Sequence, residues 1–390
     1  MTLQDMHKKI TYLAIAVVCS ALCFSQQKLT ILFAGDAMQH IPQTRAAACD
    51  SNHYDYSVCF RYILPYIEQS NYSVVNFETT LSGKPFTGFP RFSGPDEWYY
   101  ALKAAGFRYF ALANNHILDK DTAGLRRTTE VMGEGTYMGA YMNRADRDEH
   151  YPIIINYSDV KVALFNYTYG TNGIKAKGEA VVNYIDTAII RKDIETTANQ
   201  NIDVRIAFMH WGNEYQTHAN RHQTQLAHWL RQIGFDVVIG SHPHVVQNAQ
   251  WLSDDTTSSP MPVVYSLGNF FSNQRKTNTN GGIMAEVEID LKTKQVTAVR
   301  YLPFYIYRGV INGRYQYYAI PTTDYLAGRL SVKLPPYAEA ELRLFHKNTT
   351  ERLEGLPLLT LRPTQPLHDF IHRHELPHPA PLPQHLHKTF

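Results

Sequence analysis

The sequence predicts a layered α/β core, and three observations carry the prediction. Short apolar runs alternate with amphipathic helical patterns in a βαβαβ order, which argues for strands joined by right-handed crossovers. Several of the apolar runs stop abruptly on a polar residue. The chain is also large enough for such a core: 390 residues, 44% of them hydrophobic and 18% charged, are too apolar and aromatic for a mostly disordered protein.

The elements are legible in order. His7, Lys8 and Lys9 precede an apolar run from Ile10 to Phe24, followed by Ser25, Gln26 and Gln27. That is the charged, apolar, small-residue order of a secretory signal peptide (residues 1–25), with cleavage expected after Ser25. The run is short for a membrane span, which needs about 20 residues. A retained anchor is the alternative, and the only membrane attachment expected. Lipid attachment at Cys19 or Cys23 is disfavoured by the bulk of Val18 and Leu22 before them. Once the leader is removed, Cys49 and Cys59 remain, and in an exported protein they are expected to pair as a staple of the first long loop. Reduced thiols, one of them buried, are the other reading.

Lys28–Gly35 reads as a buried strand ending on Gly35-Asp36. A helical pattern over Tyr56–Gln69, a strand over Tyr72–Phe77 ending on Glu78, a helix over Glu97–Ala105 and a strand over Phe107–Ala113 ending on Asn114-Asn115-His116 follow. Tyr151–Tyr157 and Lys161–Tyr167 form a hairpin pattern. The strand Ile202–Met209 ends on His210, and the helix Asn220–Ile233 leads into the strand Phe235–Ile239, which ends on Gly240-Ser241-His242-Pro243-His244. Pro262–Leu267 runs into Gly268-Asn269-Phe270, and Ile283–Leu291 with Gln295–Tyr307 form a second hairpin-like pair. The core (28–310) is expected to end near Val310. A C-terminal extension (311–361) with a helix over Ala338–Phe345 comes next, then a Pro- and His-rich disordered tail (362–390) with no scaffold to fix ligand geometry.

A formal net charge of +2 and the lack of any concentrated Lys and Arg run give no electrostatic footprint for nucleic acid. The chemistry must lie in the polar strand ends. In an open α/β sheet the carboxyl ends of the strands border one crevice, so Asp36, Glu78, Asn115, His116, His210, His242 and His244 are expected to converge. Carboxylate, amide and imidazole donors without thiolates suit divalent ions such as Mn²⁺, Fe²⁺ or Zn²⁺. His242 and His244, one residue apart, could both face one ion. Asp119, just past His116, either orients its imidazole or caps the following helix. His218 and His222 read as an exposed face.

In order, Gly35-Asp36-Ala37-Met38, Asn76-Phe77-Glu78, Ala113-Asn114-Asn115-His116, His210-Trp211-Gly212-Asn213-Glu214-Tyr215, Gly240-Ser241-His242-Pro243-His244 and Tyr265-Ser266-Leu267-Gly268-Asn269-Phe270 resemble the poly-γ-glutamate capsule biosynthesis protein CapA family. That family in turn resembles the calcineurin-like metallophosphoesterases. The resemblance implies a four-layer α-β-β-α sandwich of the metallophosphoesterase type, with one or two metal ions at the strand ends. It also implies roles: Asp36 and Glu78 as carboxylates that hold or bridge ions, Asn115 as amide ligand, His210, His242 and His244 as imidazole ligands, Asp36 and His116 as catalytic residues, and His116 as general acid. Glu214 would stand behind the ligands. The chain departs from the superfamily pattern where Met38 stands in place of the histidine of Asp-x-His, so His40 is the substitute ligand to consider, and where Glu78 replaces an aspartate. The implied activity is metal-dependent hydrolysis, of a phosphoester in the first instance, tied to capsule or envelope polymer and to its synthesis machinery at the periplasm or surface of a bacterium. Hydrolysis of γ-glutamyl amides and a non-catalytic role that binds an anionic polymer are the alternatives.

Overall fold

The computed structural model describes residues 28–253 and 259–362. The expected signal peptide with Cys19 and Cys23, and the tail beyond Arg362, lie outside the described residues. Arg362 itself is anchored, its guanidinium donating to the Gln69 carbonyl at 2.9 Å.

The larger sheet holds β1 (Lys28–Ala37), β2 (Tyr72–Asn76), β3 (Tyr109–Ala111), β4 (Tyr137–Met138), β13 (Asn269–Phe271), β14 (Gly281–Asp290), β15 (Val296–Ile311) and β16 (Arg314–Pro321). Its order is β16-β15-β14-β1-β2-β3-β4, with the short β13 also paired to β1. The second sheet holds β6 (Ile153–Tyr157), β7 (Val160–Thr168), β9 (Val204–His210), β10 (Val237–Ser241), β11 (Ala249–Leu252) and β12 (Met261–Val264), in the order β11-β12-β10-β9-β7-β6. A two-stranded ribbon, β5 (Ala140–Tyr141) with β8 (Val181–Val182), lies apart.

The strand period of two decides which way each side chain points. Phe33 of β1 meets Phe208 of β9 edge to face at 5.7 Å, and Asn166 of β7 accepts from the Ala113 backbone at 2.7 Å, so these faces of the two sheets oppose each other. One residue along, Tyr167 turns outward to Asp193 on the helix Thr187–Glu195, at 2.9 Å. On the other sheet Phe110 of β3 meets Tyr99 of the helix Asp96–Ala104. The molecule is therefore layered helix, sheet, sheet, helix, as expected. The helix Arg221–Gln232 forms where Asn220 caps it and Leu226, Ala227 and Leu230 recur at core spacing.

Four expectations are corrected. Tyr56–Gln69 is no continuous helix: a 3₁₀ turn (Ser57–Phe60) is followed by a short helix (Leu64–Glu68) that restarts at Pro65, whose ring fits the first turn but not a helix interior. The core does not end near Val310, because β16 continues the sheet beside β15 and the helix Pro336–Arg352 packs across β15. That helix is also longer than the expected Ala338–Phe345. Cys49 and Cys59 are free thiols rather than a disulfide. Cys59, within the 3₁₀ turn, is buried in the core, whereas Cys49 is exposed in the loop closed by the Ala48–Tyr54 bridge.

Candidate metal centre

The expected site residues do gather at the carboxyl ends of the strands, and local backbone chemistry sets each one. Asp36 follows Gly35, where a Cβ would strike the Gly268 carbonyl; the Asp36 N–H donates to that carbonyl at 3.1 Å. Gly268 has φ +70°, which favours a residue without a Cβ. Glu78 lies two residues beyond β2, its N–H bonded to the Ala37 carbonyl at 3.2 Å. Asn114 shapes the turn after β3 by donating to the Phe77 carbonyl at 2.9 Å and accepting from the His116 N–H at 3.1 Å. His210 is the last residue of β9. Beyond β10, His242 (φ 98°) and His244 (φ 58°) both take left-handed conformations around Pro243, a strained arrangement for non-glycine residues that aims both rings inward.

Two groups of potential ligand atoms result, each within 4.8 Å of one another: Glu78 with His210 and His242, and Asp36 with Glu78 and His244. All five residues are buried, and Glu78 belongs to both groups. The adjacent histidines thus do not face one common position as expected; the left-handed turns divide them between the groups. Asn115 places Oδ1 2.8 Å from His210 Nε2, while its Nδ2 donates to Asn172 at 3.3 Å. His116 Nε2 lies 4.0 Å from Glu78 Oε1, and Nδ1 is 2.7 Å from Asp119 Oδ2. Asp119 therefore orients the imidazole and is no helix cap; the helix Asp121–Met132 has Lys120 in that position. Phe92 packs edge to face against His116 at 4.7 Å.

His40 joins neither group. Its Nδ1 is 3.0 Å from Gln43 Oε1 at the start of the helix Ile41–Ala47, and burial pushes its pKa down to about 4. Glu214 is exposed at the rim, whereas His218 stands just before the helix Arg221–Gln232.

Two contributors escaped the sequence reading. Asn76, the last residue of β2, is fully buried and its Nδ2 reaches Asp36 Oδ1 at 2.8 Å and Glu78 Oε2 at 3.1 Å, tying the carboxylates together. Its place in Asn-Phe-Glu, one strand period before Glu78, was the available signal. Tyr169, beyond β7, lies over His242 with ring centroids 4.5 Å apart. Nothing in its local sequence marked it.

The electrostatics fit a divalent cation. Burial, and after it the charge of Asp36, push Glu78 well above the usual carboxylate range. Burial also opposes ionisation of Asp36, but the His244 hydrogen bond and charge, with the Asn76 amide, outweigh it and hold Asp36 below its ordinary value. Burial drives His210 well below its usual pKa and brings His242 down to about 3. Burial so favours the neutral forms of His210, His242 and Glu78, while Asp36 is biased toward its ionised form. Glu78 Oε1 and His242 Nδ1 are buried without any hydrogen-bond partner among the described residues. Buried polar atoms without partners are costly, and a bound cation would relieve that cost.

Comparison with known proteins gives the chain its relatives. Residues 30–274 match the bacterial capsule synthesis protein family PGA_cap. The chain is 27% identical over 349 residues to the capsule biosynthesis protein CapA of Bacillus anthracis, covering 84% of this chain and 80% of that one. It is 25% identical over 286 residues to the PGA biosynthesis protein CapA of Bacillus subtilis (strain 168), covering 68% and 69% respectively. A crystal structure of a hypothetical protein from Thermus thermophilus superimposes with a TM-score of 0.41 at 14% identity, over 71% of this chain and 99% of that one. The chain belongs to the bacterial capsule synthesis protein family.

Proposed function

We propose that this member of the capsule synthesis family is an exported metal-dependent hydrolase that cleaves a phosphoester in the making or trimming of an anionic capsule or envelope polymer. The observation that carries the reading is Glu78, buried, shared by two ligand groups and left with an unpartnered oxygen. Glu78, His210 and His242 would hold one ion, Asp36, Glu78 and His244 a second; Mn²⁺, Fe²⁺ and Zn²⁺ all suit such oxygen and nitrogen donors. Ions so held would supply Lewis acidity toward an ester oxygen and toward water.

The chain's own residues supply the rest. Asp119 accepts from Nδ1 of His116, so Nε2 is the atom turned toward the cluster. A proton on Nε2 would then be positioned for a departing alkoxide, with Asp119 fixing the ring from the other nitrogen. Asn76 fixes both carboxylates from beneath, and Asn115 holds His210 in its rotamer. Tyr169, 48% exposed, roofs His210 and His242 on the solvent side. Export is supported by the charged and apolar order of residues 7–27, and among the described residues no helix is long and apolar enough to cross a membrane.

The test is turnover of phosphomonoesters, phosphodiesters and γ-glutamyl amides by the purified protein, with and without chelator, beside His116→Ala. Chelator-sensitive cleavage of esters with poor leaving groups, lost in His116→Ala, is the expected result. Metal binding without turnover of any substrate would mark a non-catalytic accessory of polymer synthesis or export, and cleavage of amides alone would move the activity to γ-glutamyl linkages.

A further inference from the structure

On the face that β7 turns toward the larger sheet, Val160, Val162 and Leu164 are followed by Asn166, which is 1% exposed. An amide in an apolar core is tolerated only when its polar atoms are hydrogen-bonded. Both of these are. Oδ1 accepts from the Ala113 N–H, just beyond β3 of the larger sheet, at 2.7 Å, and Nδ2 donates to the Phe208 carbonyl of β9 at 3.0 Å.

The two ends of this bridge stand at matching places. Ala113 is two residues before Asn115, and Phe208 is two residues before His210. Across the gap Asn115 Oδ1 and His210 Nε2 meet at 2.8 Å. Asn115 follows a strand of one sheet and His210 ends a strand of the other, so their meeting depends on how the sheets are set against each other. Apolar contacts are non-directional and do not fix that setting; the Asn166 amide supplies two directional bonds beside the point where it matters. The backbone of Asn166 is held in turn. Its N–H donates to the Tyr151 hydroxyl at 3.0 Å and its carbonyl accepts from Asn183 Nδ2 at 3.3 Å. Asn183 Oδ1 accepts from Arg147 Nε at 2.6 Å, and Arg147 is paired with Asp193 at 2.7 Å. The space around the amide is shaped for it as well: Gly139, at φ +100°, passes so close that a Cβ there would strike both Asn166 Oδ1 and Ala113. Asp36 and His244 have ties of their own, His244 Nδ1 lying 3.0 Å from Asp36 Oδ2 and the His242 N–H reaching Asp36 Oδ1 at 3.3 Å.

We propose that Asn166 is a positioning residue of the metal centre, a strut between the sheets that sets His210 against Asn115 and so shapes the Glu78, His210 and His242 group without shaping the Asp36, Glu78 and His244 group. The word metal rests on the reading under Proposed function, whereas the strut is a matter of backbone and imidazole placement.

The experiment compares the full chain with Asn166→Ala and with Phe165→Leu, a buried neighbour on the opposite face of β7 that controls for lost stability. An amide oxygen only accepts, so in chelator Nε2 of His210 carries the proton shared with Asn115, and NMR of the imidazole nitrogens reads that bond. Asn166→Ala should lose the His210 signature and keep that of His244, while Phe165→Leu keeps both. In Zn²⁺ titrations Asn166→Ala should weaken one of two binding events by about 10- to 100-fold, the usual cost of disturbing the support of a ligand, and leave the other in place. Gly139→Ala displaces the same amide with Asn166 intact, and carries the test if Asn166→Ala does not fold. A His210 signature unmoved in either folded variant, or a loss shared equally by His244 or matched by Phe165→Leu, would overturn the proposal. A parent chain that binds no Zn²⁺ would end the metal reading, yet the imidazole spectra would still decide the strut.

Discussion

Replacing Glu78 by Gln separates the metal role of this residue from its structural one. Glu78 is buried at 0% exposure, with Oε2 accepting from Asn76 and Oε1 unpartnered. Burial and the Asp36 charge hold its folded pKa well above the ordinary 4.5, which favours the protonated carboxyl in the metal-free protein near pH 5. A glutamine has the same shape, one acceptor for the Asn76 amide and no charge, so in chelator Glu78→Gln should unfold within about 0.5 kcal/mol of the unmodified protein near pH 5, the range of a substitution that removes no interaction. The sign of the pH effect follows from the raised pKa: the stabilisation linked to Glu78 is fully present below 4.5 and is lost as pH rises through the folded pKa. The variant lacks this loss, so at pH 8 it should equal or exceed the unmodified protein. With Mn²⁺ at a hundred times its dissociation constant the order reverses. The unmodified protein gains about 2.7 kcal/mol per bound ion, and Glu78→Gln, having lost the oxygen common to both groups, gains almost nothing. Urea unfolding followed by tryptophan fluorescence, in chelator and in Mn²⁺, measures all four free energies. A variant that gains as much from Mn²⁺ as the parent, or that loses several kcal/mol in chelator, would refute the argument.

Further outcomes follow from other contacts. Asp119→Asn should keep metal binding but lower turnover on esters with poor leaving groups by about 10- to 100-fold, the usual cost of removing a residue that orients a functional histidine, as steady-state kinetics would show. Asn76→Ala removes the amide that both carboxyl groups share, and should weaken metal affinity while costing about 2–4 kcal/mol in unfolding experiments, since a hydrogen bond to a charged group such as Asp36 is worth about 1.5–3 and one to a neutral group about 0.5–1.5. Gly35→Ala forces the Gly268 carbonyl away from β1 and should cost about 1–3 kcal/mol by overpacking, read from the urea midpoint. Asp236, raised by burial to about 6 from an ordinary 3.8 while accepting from the Arg205 N–H at 2.7 Å, destabilises the folded state above pH 6 and ceases to do so as pH falls toward 4. Asp236→Asn should therefore raise the unfolding temperature at pH 8, by a gain on the order of 1–3 kcal/mol, and make little difference at pH 4.

Much of the architecture was legible because each central strand is a continuous apolar run that stops on a polar residue. Asp36, Glu78, His210 and the His242–His244 pair could be placed at the carboxyl ends of strands from that pattern alone. Partition among them could not, since the left-handed φ values of His242 and His244 leave no trace in a His-Pro-His string. Asn76 was hidden for a related reason: within a strand, whether a side chain faces the core or the site depends on register, and register is set by β1 and β3 on either side. Tyr169 and Asn172 reach the centre from a loop whose path is fixed only by the packed sheets. The interrupted helix at Pro65 and the unpaired cysteines show the opposite failure, in which a local pattern and a compartment argument were each overridden by tertiary packing.

The central claim is that Glu78 joins two metal positions, and metal content measures it most directly. Protein loaded with Mn²⁺ or Zn²⁺, dialysed and analysed by mass spectrometry, should carry two ions per chain, one for each ligand group. His242→Ala and His244→Ala should each lose one ion, and Glu78→Gln should lose both. Unmodified protein that holds no metal, or Glu78→Gln protein that keeps its full complement, would contradict the account.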